Sequence, residues 1–241
     1  MPVFLVKLVK TIHCQRKGVN NMAQIKDKLM KYYARDDKSV TLMAASGHFA
    51  TSNSHINYFI DITRMKIRIS EAKEASKALR QKLEYNVIQV DTICCLEGTE
   101  VLGGFLGEEL EKGQFQTANL HETMYVIHPE ENNIRQFMFR ANTRLCIENK
   151  DVLILVPSIT TGATIQRMVE CIEDYGGRVA GVAAIFSTMT EVEGTRVFTL
   201  FTDEDLPGYH ATKPKDCPLC RAGLPIEAMV NGFGYSPFKI G

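Results

Sequence analysis

Asp151-Val152-Leu153-Ile154-Leu155-Val156-Pro157-Ser158-Ile159-Thr160-Thr161-Gly162-Ala163-Thr164 is the stretch that decides how this chain is read. Asp151 to Val156 is a continuous aliphatic run of strand length, the pattern of a strand buried on both faces. Ser158 to Gly162 is a short polar turn. Ala163 to Tyr175 reads as a helix with Ile165, Met168, Val169 and Ile172 on one face, stopped by Gly176-Gly177. Val179 to Ile185 is a second aliphatic strand. Strand, helix and strand in that order are the parts of a βαβ crossover in a parallel sheet.

Ligands of open α/β sheets sit beyond the carboxyl ends of the strands. There the N–H groups of Gly162, Ala163 and Thr164 stand at a helix start, where the dipole favours an anion. Ser158, Thr160, Thr161 and Thr164 add hydroxyls, and Gly162 permits an approach that a Cβ would obstruct. No Gly-x-x-x-x-Gly-Lys-Ser/Thr loop stands here, so a sugar 5′-phosphate suits the turn better than a nucleoside triphosphate. The competing reading is a threonine-capped helix whose hydroxyls satisfy only its own first turn.

Working outward, Ala72, Ala75, Leu79 and Leu83 recur at helical spacing between Ser70 and Tyr85, with Lys73, Glu74, Lys77 and Arg80 outside. A strand over Val87–Ile93 leads through Glu97-Gly98 into a helix from about Thr99 to Leu110. Met124–Ile127, Gln136–Phe139 and Tyr58–Ile62 read as strands, and Met22–Tyr33 as a helix. Residues 202–241, rich in Pro, Gly and Cys, are expected to form an irregular tail.

The 28 basic and 28 acidic side chains among 241 residues cancel, which gives no reason to expect nucleic acid or an anionic membrane as partner. Lys7 and Lys10 interrupt the apolar N-terminus before it reaches the length of a signal peptide or a membrane span, so a cytoplasmic protein is expected. Seven cysteines, an odd count at modest density, argue against a secreted disulfide scaffold. Cys94-Cys95 reads as strand packing. Cys217-Pro218-Leu219-Cys220 has the spacing of a zinc knuckle, for which His210, Asp216, His13, Cys14 or a second copy would supply further ligands to a structural Zn²⁺. Buried thiols in a tight turn are the alternative.

The run Val152 to Thr164 resembles the ribose-5-phosphate signature of type I phosphoribosyltransferases, whose substrate is phosphoribosyl pyrophosphate. Thr51-Ser52-Asn53-Ser54-His55-Ile56-Asn57-Tyr58-Phe59-Ile60-Asp61 resembles the substrate-hood segment of the orotate branch, and Leu96-Glu97-Gly98-Thr99 falls where that branch places its pyrophosphate loop. The resemblance implies a mostly parallel sheet flanked by helices, a hood over 1–68, a core over 69–201 and the tail. It also implies pyrophosphate contacts from Glu97, Gly98, Thr99 and Arg140, hood contacts from Ser54 and His55, Mg²⁺ if the chain is active, and a homodimer.

Two departures separate this chain from that pattern. Val156 and Pro157 stand where working members carry two acidic residues that address the ribose hydroxyls. The lysine-and-histidine pattern of the mobile catalytic loop is absent from Phe139 to Lys150, where Arg140 and Arg144 remain as pyrophosphate ligands. The sequence thus admits a phosphoribosyltransferase, in which Glu97 or Asp91 replaces the lost carboxylates, or a catalytically silent protein that binds a nucleotide or sugar phosphate.

Overall fold

The computed structural model describes residues 25–35, 37–84, 89–112, 124–134 and 136–238. The chain folds as an α/β protein built on two sheets. The first elements are β1 (Met30–Tyr33), β2 (Thr41–Ala50) and β3 (His55–Asp61), followed by α1 (Thr63–Ile67) and α2 (Ile69–Glu84). Next come β4 (Thr92–Cys95), α3 (Glu100–Lys112), β5 (Tyr125–Ile127), the small β6–β7 ribbon (Glu130–Glu131, Phe137–Met138) and α4 (Ala141–Arg144). Then follow β8 (Asp151–Ile159), α5 (Ala163–Asp174), β9 (Arg178–Ser187), β10 (Glu191–Val192) and β11 (Thr195–Phe201). The tail adds β12 (Ala211–Thr212), α6 (Pro218–Arg221), β13 (Ala228–Asn231) and β14 (Gly234–Pro237).

The core sheet runs β10-β11-β9-β8-β4-β5 and is parallel throughout, save for the antiparallel β10–β11 pair. Its central strand carries the aliphatic run, and alternation explains why every residue from Val152 to Val156 is apolar. Val152, Ile154 and Val156 pack on one face with Ile165, Met168, Val169 and Ile172 of α5. Leu153 and Leu155 pack on the other with Ala75, Leu79 and Leu83 of α2 and Leu102, Leu106 and Leu110 of α3.

The second sheet is a hood of order β12-β3-β2-β13-β14, with β1 paired to β2. Tyr58, Leu42 and Ala44 seat it on the core beside Phe186 and Phe201. The register of β2 against β3 shifts between Ser46 and Phe49, so a bulge falls at Gly47-His48.

Several expectations need correction. Met30–Tyr33 is a strand, and only a turn at 25–27 is helical, because pairing of Met30 to Ala44 and Tyr33 to Thr41 overrides local helix preference. Phe137–Met138 joins a separate two-stranded ribbon with Glu130–Glu131 and lies outside the core sheet. The tail does contain irregular chain, but it also gives β12, β13 and β14 to the hood. Strands from 30–61 and from 211–237 therefore build one sheet. The expected strand over Val87–Ile93 is described from Thr92, and residues 1–24, with His13 and Cys14, lie outside the described residues. Among the described residues no helix is long and apolar enough to cross a membrane.

Candidate ligand-binding cleft

A cleft of about 990 Å³ opens at the carboxyl ends of β4 and β8, between core and hood. Thr51–Ser54, Glu97-Gly98, Thr160–Thr164 and the β13–β14 turn all line it. The Glu97-Gly98 and Thr160–Thr164 loops meet there because a parallel sheet puts the loops after its strands at one end, and the hood sheet supplies the other two segments.

The turn after β8 is an open helix start. Gly162 is the N-cap of α5, held at φ 75°, and no side chain caps it. The first intrahelical bond runs from Gln166 N–H to the Gly162 carbonyl, so the N–H groups of Ala163, Thr164 and Ile165 precede the ladder and line the cleft. A Cβ on Gly162 would add left-handed strain and meet Val192 Cγ1 at 3.0 Å. Ser158, Thr160, Thr161 and Thr164 stand on the cleft wall. Thr160 is hydrogen-bonded to Tyr209, whose phenol burial pushes up to about 12.

The loop after β4 is shaped differently. Glu97 and Gly98 both have positive φ, 51° and 80°. Thr99 is fully buried, and its hydroxyl lies 2.9 Å from the Leu96 carbonyl and 3.1 Å from the Leu155 carbonyl, joining β4 to β8 instead of facing the cleft. The carboxyl of Glu97 is pushed up by burial, an effect that the Lys66 ammonium partly offsets. Lys66 is itself 5% exposed and donates 2.6 Å hydrogen bonds to the carbonyls of Glu97 and Gly232. Its ammonium lies 5.0 Å from the Phe233 ring centre. A Cβ on Gly232 would overlap the Glu97 carboxylate and come within 2.9 Å of the Pro157 ring. The β13–β14 turn therefore covers the Glu97-Gly98 loop and abuts the end of the aliphatic strand.

Arg140 does not line the cleft. It is exposed and engages Glu130 through two hydrogen bonds, 2.8 and 2.5 Å, because β6 brings that carboxylate alongside it. Arg167, one turn along α5 from Thr164, lines the cleft instead, 3.4 Å from Glu131. Asp91 lies at the opposite end of β4, where its carboxylate accepts the Asp151 N–H at 2.7 Å. Burial pushes the Cys95 thiol up to about 12 and that of Cys94 well above its usual value, so both pack as apolar groups.

Ser54 lines the cleft, with its hydroxyl 2.9 Å from that of Thr51. His55 turns the other way: its Nδ1 lies 3.3 Å from Cys220 Sγ and 3.3 Å from His48 Nε2. His48, His55, Cys217 and Cys220 form a cluster that could chelate a metal ion. His210 faces the Gly208 carbonyl instead, and neither it nor Asp216 belongs to the cluster. His128 lines the cleft, whereas His121 is outside the described residues.

The sequence pattern did not reveal Lys66, Arg167 or the β13–β14 turn as parts of the site. A lysine or arginine on an amphipathic helix reads as a solvated face, and the turn reaches the cleft only through the pairing of β13 with β2. Asn231-Gly232 between two short alternating runs was the available hairpin signal.

The Mg²⁺ that accompanies phosphoribosyl pyrophosphate finds no side-chain donor at Val156 or Pro157 of β8. Val156 is buried, and Pro157 meets the hairpin turn with an aliphatic ring. Neither offers an oxygen from its side chain.

Fold and cleft together define an α/β protein with an uncapped helix start at the carboxyl edge of a parallel sheet, an arrangement consistent with a type I phosphoribosyltransferase-like architecture. No family model matches the chain. It is 36% identical over 81 residues to the orotate phosphoribosyltransferase of Caldicellulosiruptor bescii, an alignment spanning 33% of this chain and 40% of that protein. The corresponding protein of Sulfurimonas denitrificans is 23% identical over 190 residues, 73% of this chain and 87% of its own length. Among solved structures, Mycobacterium tuberculosis H37Rv orotate phosphoribosyltransferase in complex with Fe(III) dicitrate superposes with a TM-score of 0.47 at 16% identity, covering 69% of this chain and 93% of that one.

Proposed function

We propose that this chain is a member of the phosphoribosyltransferase superfamily that binds a sugar 5′-phosphate or nucleotide without transferring the sugar. The observation that carries the reading is the uncapped helix start at Gly162, with N–H groups and four hydroxyls gathered on one wall of the cleft. A phosphate monoester matches that donor set, and the helix dipole adds to it.

Three features favour binding over transfer. The carboxylates that would stabilise a ribosyl cation at the end of β8 are replaced by hydrocarbon at Val156 and Pro157. The Glu97-Gly98 loop, which a pyrophosphate would need, has Gly232 and Phe233 packed against it. The cleft is also lined by Glu97, Glu100 and Glu131 against Arg167 and His128, a poor balance for a pyrophosphate but a sufficient one for a single phosphate.

Calorimetric titration of ribose 5-phosphate, with ribose and inorganic phosphate alongside, tests this function. Saturable 1:1 binding of ribose 5-phosphate, lost in Gly162→Val while the far-UV spectrum is kept, is the expected result. Equal or absent binding of all three would remove the functional reading and leave Thr160–Thr164 as an ordinary helix start. The likeness to orotate phosphoribosyltransferases makes pyrimidine nucleoside monophosphates the first larger ligands to titrate.

A further inference from the structure

Four metal-ligating atoms converge at the edge of the hood, on residues the cleft does not use. His48 sits in the β2 bulge, His55 opens β3, and Cys217 and Cys220 bracket the start of α6. His48 Nε2 lies 3.3 Å from His55 Nδ1, 3.5 Å from Cys217 Sγ and 3.7 Å from Cys220 Sγ. Cys220 Sγ lies 3.3 Å from His55 Nδ1, and all four atoms fall within 4.8 Å of one another. Zinc bonds of about 2.0–2.1 Å to nitrogen and about 2.3 Å to sulfur, at the tetrahedral angle, require N···N, N···S and S···S edges of about 3.4, 3.6 and 3.8 Å. The four edges above lie within a few tenths of an ångström of these values.

Tautomer chemistry points the same way. His48 Nδ1 lies 2.9 Å from the Leu224 carbonyl, which can only accept, so Nδ1 carries the proton. The neutral ring then presents the Nε2 lone pair to the cluster, the arrangement of a histidine ligand held by an outer carbonyl. The backbone N–H groups of Leu219 and Cys220 address the Cys217 sulfur, the arrangement of a C-x₂-C knuckle turn.

We propose that His48 Nε2, His55 Nδ1, Cys217 Sγ and Cys220 Sγ form a tetrahedral Zn²⁺ site that clamps the C-terminal segment to the hood. All four positions come from protein side chains, so the site is closed and structural, with no position for a water or substrate. His48 and Cys217 are buried, whereas Cys220 lies at the surface and gives the ion an entry path. The clamp fixes residues 217–224 immediately before β13, which pairs with β2 at Phe49 and Ala50 next to the bulge. It thereby sets where the Gly232-Phe233 turn lies on the Glu97-Gly98 loop. This inference is independent of what the cleft binds.

Elemental analysis of the full chain purified without added zinc, and the visible spectrum after exchange with Co²⁺, test the assignment. One zinc per chain and the intense d–d and thiolate charge-transfer bands of a tetrahedral Co²⁺ centre are expected. Both should be lost in Cys220→Ser and kept in Cys146→Ser, a buried thiol elsewhere in the core. Substoichiometric zinc with a weak, octahedral-type Co²⁺ spectrum in the unaltered protein would overturn the proposal, as would full metal retention in Cys220→Ser. Should Cys220→Ser not fold, the two measurements on the unaltered chain decide alone.

Discussion

The Lys66 ammonium donates a 2.6 Å hydrogen bond to the Gly232 carbonyl, joining a buried cation on the helix after the hood to the turn of the C-terminal hairpin. A second bond of the same length reaches the Glu97 carbonyl. One side chain thus holds together the loop where a pyrophosphate would sit and the turn that covers it. Burial depresses the Lys66 pKa, and the carboxylates of Glu97, Glu100 and Asp61 oppose that effect. Its position is therefore maintained against a desolvation cost by hydrogen bonds from the charged ammonium to the two carbonyls, each contributing about 1.5–3 kcal/mol. Lys66→Met should leave two buried carbonyls unpaired and destabilise the chain by about 2–4 kcal/mol, read from the urea midpoint at constant slope. An unchanged midpoint would mean the turn is held by other contacts.

Glu97 gives a pH signature. Burial raises its folded pKa above the unfolded value, so its contribution to stability is fully present below the unfolded pKa, near 4.5, and is lost as pH rises through the folded pKa. Glu97→Gln, which keeps the shape and never ionises, should therefore gain in Tm relative to the parent between pH 4 and pH 8. A Tm difference that is flat across this range, or that shrinks as pH rises, would place the carboxylate in a solvated setting.

Arg140 and Arg167 separate the resemblance from the structure. The resemblance gives Arg140 a phosphate contact, yet its side chain is 63% exposed and bound to Glu130. Arg140→Ala should leave ribose 5-phosphate affinity unchanged within about twofold, whereas Arg167→Ala should weaken it about tenfold, equal to 1.4 kcal/mol. The reverse order in a titration series would assign the phosphate to the β6–α4 side of the protein.

Zinc removal should loosen the hairpin selectively. With the clamp at 217–224 released, amide exchange in β13 and β14 should rise by about tenfold or more, as expected for a local stability loss of at least about 1.4 kcal/mol, while β8 and β9 stay protected. Hydrogen exchange of chelator-treated and zinc-restored protein measures this. Uniform change across the core would mean that the metal supports the global fold instead.

The central strand was legible because burial on both faces forces every residue from Val152 to Val156 to be apolar, a pattern that needs no knowledge of partners. The helix start at Gly162 was legible because a short polar turn directly follows that strand. The tail was not, since β12, β13 and β14 are two to four residues long and acquire strand character only through pairing, β12 with β3, β13 with β2 and β14 with β13. The same non-locality hid the metal cluster. Cys217 and His48 are 169 residues apart, and His55 read as a hood residue facing a substrate. Two histidines seven residues apart, on the paired strands of a hairpin, together with one C-x₂-C turn, were the signal from which the set could have been assembled.

The most direct test of a binding protein without turnover is to incubate the purified chain with phosphoribosyl pyrophosphate, Mg²⁺ and orotate, and to measure pyrophosphate release alongside ribose 5-phosphate binding on the same preparation. The account predicts saturable binding of ribose 5-phosphate and no pyrophosphate release above a protein-free control, with uracil, adenine, guanine or hypoxanthine in place of orotate giving the same result. Sustained release with any of these bases would contradict it, and would mean that a carboxylate other than the absent pair at Val156 and Pro157 supports the transfer.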